Sequence, residues 1–296
     1  MRPEGGGIGP VNPAAGGGPY RVVLKERELD HDSDPTLEDL RALLVAIYGT
    51  DFGVHSPTWI SRFTDMSRQA ASYRHGRVLL AGDAAHVHGP AGGQGLNVGV
   101  LDAVNLGWKL AQVVNGTSSD NLLDTYHAER HPVGARVLHN TMAQVALNNP
   151  DPRNQASFAT VTDLLRMDEP RRRIGGMISA LDIHYDLGAG HPLLGRRMPD
   201  LDLQTADGTT RAFGLLHEAR PVLLNLEARN GFDVSPWPRV RLVDATYDGA
   251  WELPVLGEVA APGSVLIRPD GHVVWTGDLT DPALPEALAT WFGMAA

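Results

Sequence analysis

Gly76-Arg77-Val78-Leu79-Leu80-Ala81-Gly82-Asp83-Ala84-Ala85-His86, continued by Pro90-Ala91-Gly92-Gly93-Gln94-Gly95-Leu96-Asn97, is the stretch on which the fold of this chain turns. The run Arg77 to Ala81 reads as a strand covered on both faces, because its apolar residues do not alternate with polar ones. It delivers one carboxylate, Asp83, at its C-terminal end. Glycines follow that let backbone approach a ligand closely, and a helix begins near Leu96. A carboxylate there accepts hydrogen bonds from sugar-alcohol hydroxyls, and the free amides around Gly95, Leu96 and Asn97 favour negative charge. The pattern suits a cofactor with hydroxyls at one end and an electron-rich edge at the other, which a flavin has.

Outward from this stretch, Val100, Val104, Leu110 and Val114 continue the helix to Gly116, and a second helix runs from about Asn121 towards Leu147 with Pro132 inside it. Upstream, Arg21 to Lys25 reads as a short strand. Thr36 is an N-cap for a helix carrying Leu37, Leu40, Leu44 and Ile47 and closed by Gly49. Thr58 to Asp65 reads as a half-buried strand. The first nineteen residues hold eleven Gly or Pro and are expected to be a flexible leader. After Asn148 the periodicity weakens. Downstream, Pro221 to Leu226 and Val240 to Val243 look like core strands, and Val265–Ile267 and Val273–Trp275 flank the hairpin signal Asp270-Gly271. A helix over Pro282 to Phe292 closes this part.

Composition limits the chemistry. The 296 residues include no cysteine, which removes thiolate nucleophiles, disulfides and cysteine-ligated metal. Twenty-five basic and thirty-five acidic residues give a net charge of −10, a poor match to nucleic acid or anionic membrane. No apolar run approaches the roughly 18 residues of a membrane helix, and no signal-peptide core is seen, so a cytoplasmic location is expected.

The central stretch resembles the second flavin-binding motif of the FAD-dependent aromatic hydroxylases, the group-A flavoprotein monooxygenases related to para-hydroxybenzoate hydroxylase. Asp102-Ala103-Val104-Asn105-Leu106-Gly107-Trp108-Lys109-Leu110-Ala111 continues the match. Arg68-Gln69-Ala70, Tyr73-Arg74 and then Tyr126, Glu129 and Arg130 fit it on either side. Gly195-Arg196-Arg197-Met198-Pro199-Asp200 and Pro269-Asp270-Gly271 resemble the entry and hairpin of the thioredoxin-like tail in the polyketide- and phenol-hydroxylase branch.

The resemblance implies an α/β fold: the C-terminal part of an FAD/NAD(P)-binding hydroxylase, with a partial three-layer β/β/α cofactor domain and substrate-domain strands, followed by a small thioredoxin-like α/β domain. The implied boundaries are a leader over 1–19, a substrate-domain remnant over 20–75, the FAD motif and following helices over 76–190, and the tail over 191–296. It implies FAD as cofactor and NAD(P)H as co-substrate, with oxygen from O2 transferred to an aromatic or polyketide ring. Gly82, Asp83, Pro90, Gly92, Gly93, Gly95, Leu96 and Asn97 are the implied cofactor-binding residues: Asp83 on the ribityl chain, Pro90 beside the isoalloxazine, and the Leu96 and Asn97 amides at the N1/O2 edge.

The family's N-terminal strand and G-x-G-x-x-G turn have no counterpart, since Gly5-Gly6-Gly7-Ile8-Gly9-Pro10 follows only four residues. The expectation is a shortened hydroxylase whose protein partner is a homodimer mate or a separate N-terminal FAD-binding half. A non-catalytic binding or assembly protein is the competing class. A metal hydrolase on Asp83, His86 and His88 is a third, against which stand the missing further ligand and the helix motif that follows. Gln94 is equally a turn-closing residue or a cofactor contact. Trp59, Arg62 and Phe63 read as packing or solvent-facing rather than substrate contacts, and Arg171-Arg172-Arg173 as a solvated helix face.

Overall fold

The computed structural model describes residues 6–12, 14, 18–26, 33–64, 66–227 and 231–293. The chain divides into two compact units, Met1–Asp65 and Met66–Ala296. In the first, β1 (Gly6–Pro10) pairs antiparallel with β2 (Tyr20–Leu24), and α1 spans Leu37–Tyr48. The leader is thus partly a strand: Gly6 to Pro10 lies in register opposite Leu24 to Tyr20. Glycine-rich chain still carries backbone donors and acceptors, and a neighbouring strand satisfies them. Residues 1–5, 13 and 15–17 lie outside the described residues.

Helix α1 is set by local chemistry. Thr36 Oγ1 accepts from the Asp39 amide at 3.2 Å while Asp39 Oδ2 accepts from the Thr36 amide at 2.8 Å, a reciprocal capping box. Gly49 ends the helix at φ +78°, the left-handed conformation that glycine adopts without penalty. Residues 58–64 form no strand, contrary to expectation; Trp59 is 79% exposed, and among the described residues no strand pairs with this stretch. Asp65 lies outside the described residues.

The second unit opens with short pairs: β3 (Arg68–Gln69) with β6 (His86–Val87), and β4 (Arg74–His75) with β5 (Val78–Leu79). The expected buried strand over 77–81 is therefore only two residues long, and Val78 is 60% exposed. A strand covered on both faces lies inside a sheet with layers packed above and below it; among the described residues this one is an arm of a two-stranded hairpin. Helices α2 (Gly95–Val114) and α3 (Asp124–Leu147) follow, and Pro132 sits inside α3 without ending it. Two helices fill the stretch where periodicity weakens, α4 (Pro152–Leu164) and α5 (Asp168–Ser179).

The C-terminal part holds β7 (Asp202–Thr205), β8 (Gly208–Arg211), β9 (Val222–Asn225), β10 (Arg241–Thr246), β11 (Trp251–Leu253), β12 (Gly257–Val259), β13 (Ser264–Ile267), β14 (Val273–Gly277) and α6 (Ala283–Phe292). Six strands form one sheet in the order β14-β13-β9-β10-β7-β8, with β9 and β10 parallel and the other pairs antiparallel. Period-2 alternation assigns the two faces. Val222, Leu224, Val265 and Ile267 point into a core with Leu203, Met198 and Trp251. Leu223 and Leu266 point the other way, onto Leu284, Leu288, Trp291 and Phe292 of α6. That second core also takes in Leu122, Trp108 and Val113, so the sheet and the helices before it share apolar packing. No helix among the described residues is long and apolar enough to cross a membrane.

Helix α2 is inverted relative to an ordinary amphipathic helix. Its buried positions are Val98, Asp102, Asn105, Lys109 and Gln112, nearly all polar. Leu96, Val100, Val104 and Val114 are 80%, 51%, 46% and 74% exposed. The apolar periodicity that signals this helix in the sequence therefore marks its outward face and not its core face.

Candidate functional site

After β5 the chain turns sharply at Gly82–Ala84, and local chemistry explains where. Tyr126 Oη donates to the Leu80 carbonyl at 2.7 Å, fixing the approach. Gly82 adopts φ +57°. A Cβ on Gly99 would lie 3.3 Å from the Gly82 Cα, so two glycines let the turn lie directly on the start of α2. The Gly82 amide then donates to Asp102 Oδ2 at 3.0 Å.

Asp102 anchors the arrangement. Its other oxygen accepts from Arg130 Nε at 2.7 Å, and Oδ2 also meets His86 Nε2 at 2.7 Å. Burial pushes this carboxyl up, but the hydrogen bonds from His86 and Arg130 outweigh it and hold the group below the usual carboxylate range. Arg130 is buried too; its Nη1 donates to Tyr185 Oη at 3.2 Å and its Nη2 to the Val98 carbonyl at 3.3 Å. His86 is thereby committed to Asp102, and His88 Nδ1 turns to the Gly89 carbonyl at 2.6 Å, so the two histidines do not converge.

An open cleft of about 570 Å³ lies between the turn and the helix, with Gly82 and Asp83 on one side and Gly95, Leu96, Gly99 and Val100 on the other. The Asp83 carboxylate is exposed and accepts no hydrogen bond from the described residues. Gln94 stands at the N-cap of α2 but its side chain does not cap, which leaves the first helical amides free. Instead Gln94 is buried and donates to the carbonyls of Met177 at 3.1 Å and Ile178 at 2.9 Å, tying the glycine loop to the end of α5. Gly92 and Gly93 take φ +76° and +64° on the way, and a Cβ on Gly92 would meet the Gln144 side chain at 3.1 Å. Of the residues singled out in the sequence, Gly82, Asp83, Gly95 and Leu96 line the cleft; Pro90, Gly92, Gly93 and Asn97 do not. A smaller depression of about 420 Å³ on α5, between Asp168, Arg171 and Arg172, holds an exposed ion pair at 2.6 Å.

A second buried cluster joins α2 and α3 to the C-terminal hairpin. Arg268 donates to Glu129 through Nη1 at 2.7 Å and to Asp270 through Nη2 at 2.5 Å. Lys109 Nζ reaches Glu129 at 2.9 Å, and Trp108 Nε1 donates to Asp270 at 3.2 Å. Two cations and two carboxylates balance, as burial requires. Arg268 also lies over the rings of Trp291 at 4.7 Å and Trp108 at 5.2 Å. Burial drives the Lys109 ammonium down to about 8 despite Glu129. For Glu129 and Asp270 burial acts upward, but Arg268 prevails and holds both below the usual range.

The exposed Asp83 carboxylate, the uncapped start of α2 and the glycines Gly82, Gly95 and Gly99 thus line one cleft. The model described as FAD binding domain matches residues 2–141, and that described as aromatic-ring hydroxylase, C-terminal, matches residues 191–295. The chain belongs to the FAD-dependent aromatic-ring hydroxylases.

Within them it is 49% identical over 276 residues to the 12-dehydrotetracycline 5-monooxygenase/anhydrotetracycline 6-monooxygenase of Streptomyces rimosus, covering 89% of this chain and 53% of that protein. It is 46% identical over 282 residues to the rifampicin monooxygenase of Streptomyces venezuelae, covering 95% and 56%. The solved structure of the anhydrotetracycline hydroxylase OxyS from Streptomyces rimosus superposes with a TM-score of 0.83 at 44% identity, over 98% of this chain and 58% of that one. The chain thus spans about half the length of the curated relatives it matches.

Proposed function

We propose that this chain supplies the flavin end of an FAD-dependent, NAD(P)H- and O2-consuming monooxygenase that hydroxylates an aromatic or polyketide ring, in the cytoplasm. The observation that carries the reading is the convergence of the free Asp83 carboxylate and the uncapped start of α2 on one cleft. When bound, FAD would supply the redox chemistry, passing electrons from the nicotinamide to O2 so that one oxygen atom reaches the substrate. The chain's own residues bind and orient. Asp83 accepts hydrogen bonds from ribityl hydroxyls, and the amides of Gly95, Leu96 and Asn97 meet the electron-rich pyrimidine edge. Gly82 lets the turn approach the cofactor closely, while Gly92, Gly93 and Pro90, which stand outside the cleft lining, set the path of the loop behind it. The part from residue 191 is read as a thioredoxin-like domain; without cysteine its contribution is packing or assembly.

The outward apolar face of α2 calls for cover. A helix in water ordinarily presents polar residues there, and contiguous exposed apolar surface marks an interaction site. The occupant we assign is a separate N-terminal FAD-binding half, with a second copy of this chain as the competing outcome. The test is to titrate FAD into the 296-residue chain alone, then into the chain mixed with the N-terminal segment of one of the relatives, and to follow flavin fluorescence and NAD(P)H oxidation. Weak binding alone and tight binding with NAD(P)H oxidation in the mixture is the expected result. No binding in either sample would favour the non-catalytic assembly role.

A further inference from the structure

The flavin turn and the C-terminal hairpin are connected by an unbroken line of buried polar contacts. Asp102 accepts from the Gly82 amide at 3.0 Å and from Arg130 Nε at 2.7 Å. Arg130 Nη1 donates to Tyr185 Oη at 3.2 Å. Asn105 Nδ2 lies 3.4 Å from that same hydroxyl and 3.3 Å from Asp270 Oδ2. Asp102, Arg130, Asn105 and Tyr185 are each at most 3% exposed, so water cannot substitute for a lost partner in this line.

Tyr185 is the joint. Its ring stacks on His272 of the hairpin with centroids 4.3 Å apart and planes at 28°. Its backbone is pinned as well, the Tyr185 amide donating to the Gly195 carbonyl at 2.9 Å while the Gly195 amide donates to the Val273 carbonyl at 2.8 Å. The hairpin therefore fixes where the hydroxyl sits, and the hydroxyl receives one end of the guanidinium that holds Asp102.

We propose that Tyr185 is a positioning residue through which the C-terminal hairpin at Asp270 and His272 sets the geometry of the Gly82–Asp83 turn. Because that turn is read as the flavin cradle, a reading on which the functional meaning rests, the tail would tune cofactor placement from outside the cleft. Tyr185 touches neither the cleft nor Asp83; it acts through Arg130 and Asp102.

The test is made on the full chain without cofactor, so that it stands apart from flavin binding. Amide hydrogen exchange and the proton shift of Gly82 are measured in the wild type, in Tyr185→Phe, which removes the hydroxyl and keeps the stacking ring, and in Asp270→Asn. The expected result is roughly tenfold faster exchange at Gly82 in both variants, with an upfield shift as its bond to Asp102 lengthens, while the Leu223 and Val265 amides of the sheet keep their rates. An unchanged Gly82 in Tyr185→Phe, or a rise shared equally by Leu223 and Val265, overturns the proposal and leaves Tyr185 a packing residue. FAD titration of the reconstituted complex separates the two readings: a Gly82 response without FAD binding upholds the positioning role and removes the flavin role.

Discussion

Asp102 of α2 and Arg130 of α3 meet at 2.7 Å with both side chains wholly buried, and the Gly82 amide rests on the same carboxylate. The consequence is that the turn carrying Asp83 is held by a buried charge pair in addition to the apolar cluster of Tyr73, Ala85 and Tyr126 that flanks it. Such a pair is costly to break from one side, because the remaining charge is left in a dry interior. Arg130→Leu is expected to lower stability in urea denaturation by about 3–5 kcal/mol. The double variant Asp102→Leu/Arg130→Leu should lose less than the sum of the two single changes. Additive losses would mean that the two side chains do not act as a pair.

Gly195 is a position where only glycine fits. It has φ +73°, and a Cβ there would lie 2.0 Å from the Tyr185 carbonyl oxygen. Gly195→Ala should therefore cost more than the 1–3 kcal/mol typical of backbone strain alone, roughly speaking. Gly76→Ala, also at positive φ but with nothing within 4 Å, should stay within about that range. Thermal unfolding of the two variants side by side checks the contrast.

The pH dependence follows from the two buried clusters. Asp102, Glu129 and Asp270 are held below the usual carboxylate range, so the unfolded chain takes up protons first on acidification. Their contribution is complete above about pH 4 and is lost as pH falls further. Lys109 acts in the opposite sense. With its folded value near 8, the unfolded chain holds a proton that the folded one has released between there and about 10.4, so this residue adds stability as pH rises. In Tm measurements from pH 7.5 to 9.5, Lys109→Met should remove that upward component, seen as a difference in slope from the wild type.

The α2 face gives a surface test. Val100 and Val104 are about half exposed, and changing both to Lys should leave the stability of the chain alone within about 0.5 kcal/mol. The same variant should fail to assemble with the N-terminal segment in size-exclusion chromatography. Unimpaired assembly would show that this face is not the docking surface.

How much of this was legible in the sequence depended on how local the cause was. The α1 boundaries rest on a capping box and a left-handed glycine within one stretch, and both were readable. The hairpin at Asp270-Gly271 was equally plain, with Gly271 at φ +81°. The β7–β8 hairpin carries the same signal at Asp207-Gly208, and α4 begins with an Asp151 cap before Pro152, so both are equally local in cause. The 77–81 run failed because an apolar pattern cannot say whether neighbouring strands exist. The Asp102–Arg130–Tyr185 line was out of reach for another reason: its members are 28 and 55 residues apart, and only the packing of α2 on α3 and the tail brings them together. The pattern of α2 misled in an instructive way, since its polar residues face inward to make these contacts.

The segment from Gly82 to Asn97 is proposed to hold the flavin, with Asp83 on the ribityl hydroxyls. The most direct measurement is the dissociation constant for FAD, by flavin fluorescence, of the chain mixed with the N-terminal segment of one of the relatives, comparing wild type with Asp83→Ala. Asp83 is exposed and accepts no hydrogen bond from the described residues, so the substitution should leave folding intact. One or two charge-assisted hydrogen bonds at about 1.5–3 kcal/mol each should be lost, a weakening of at least roughly tenfold, while His88→Ala changes affinity much less. Equal FAD affinity with Ala at position 83 would contradict the assignment.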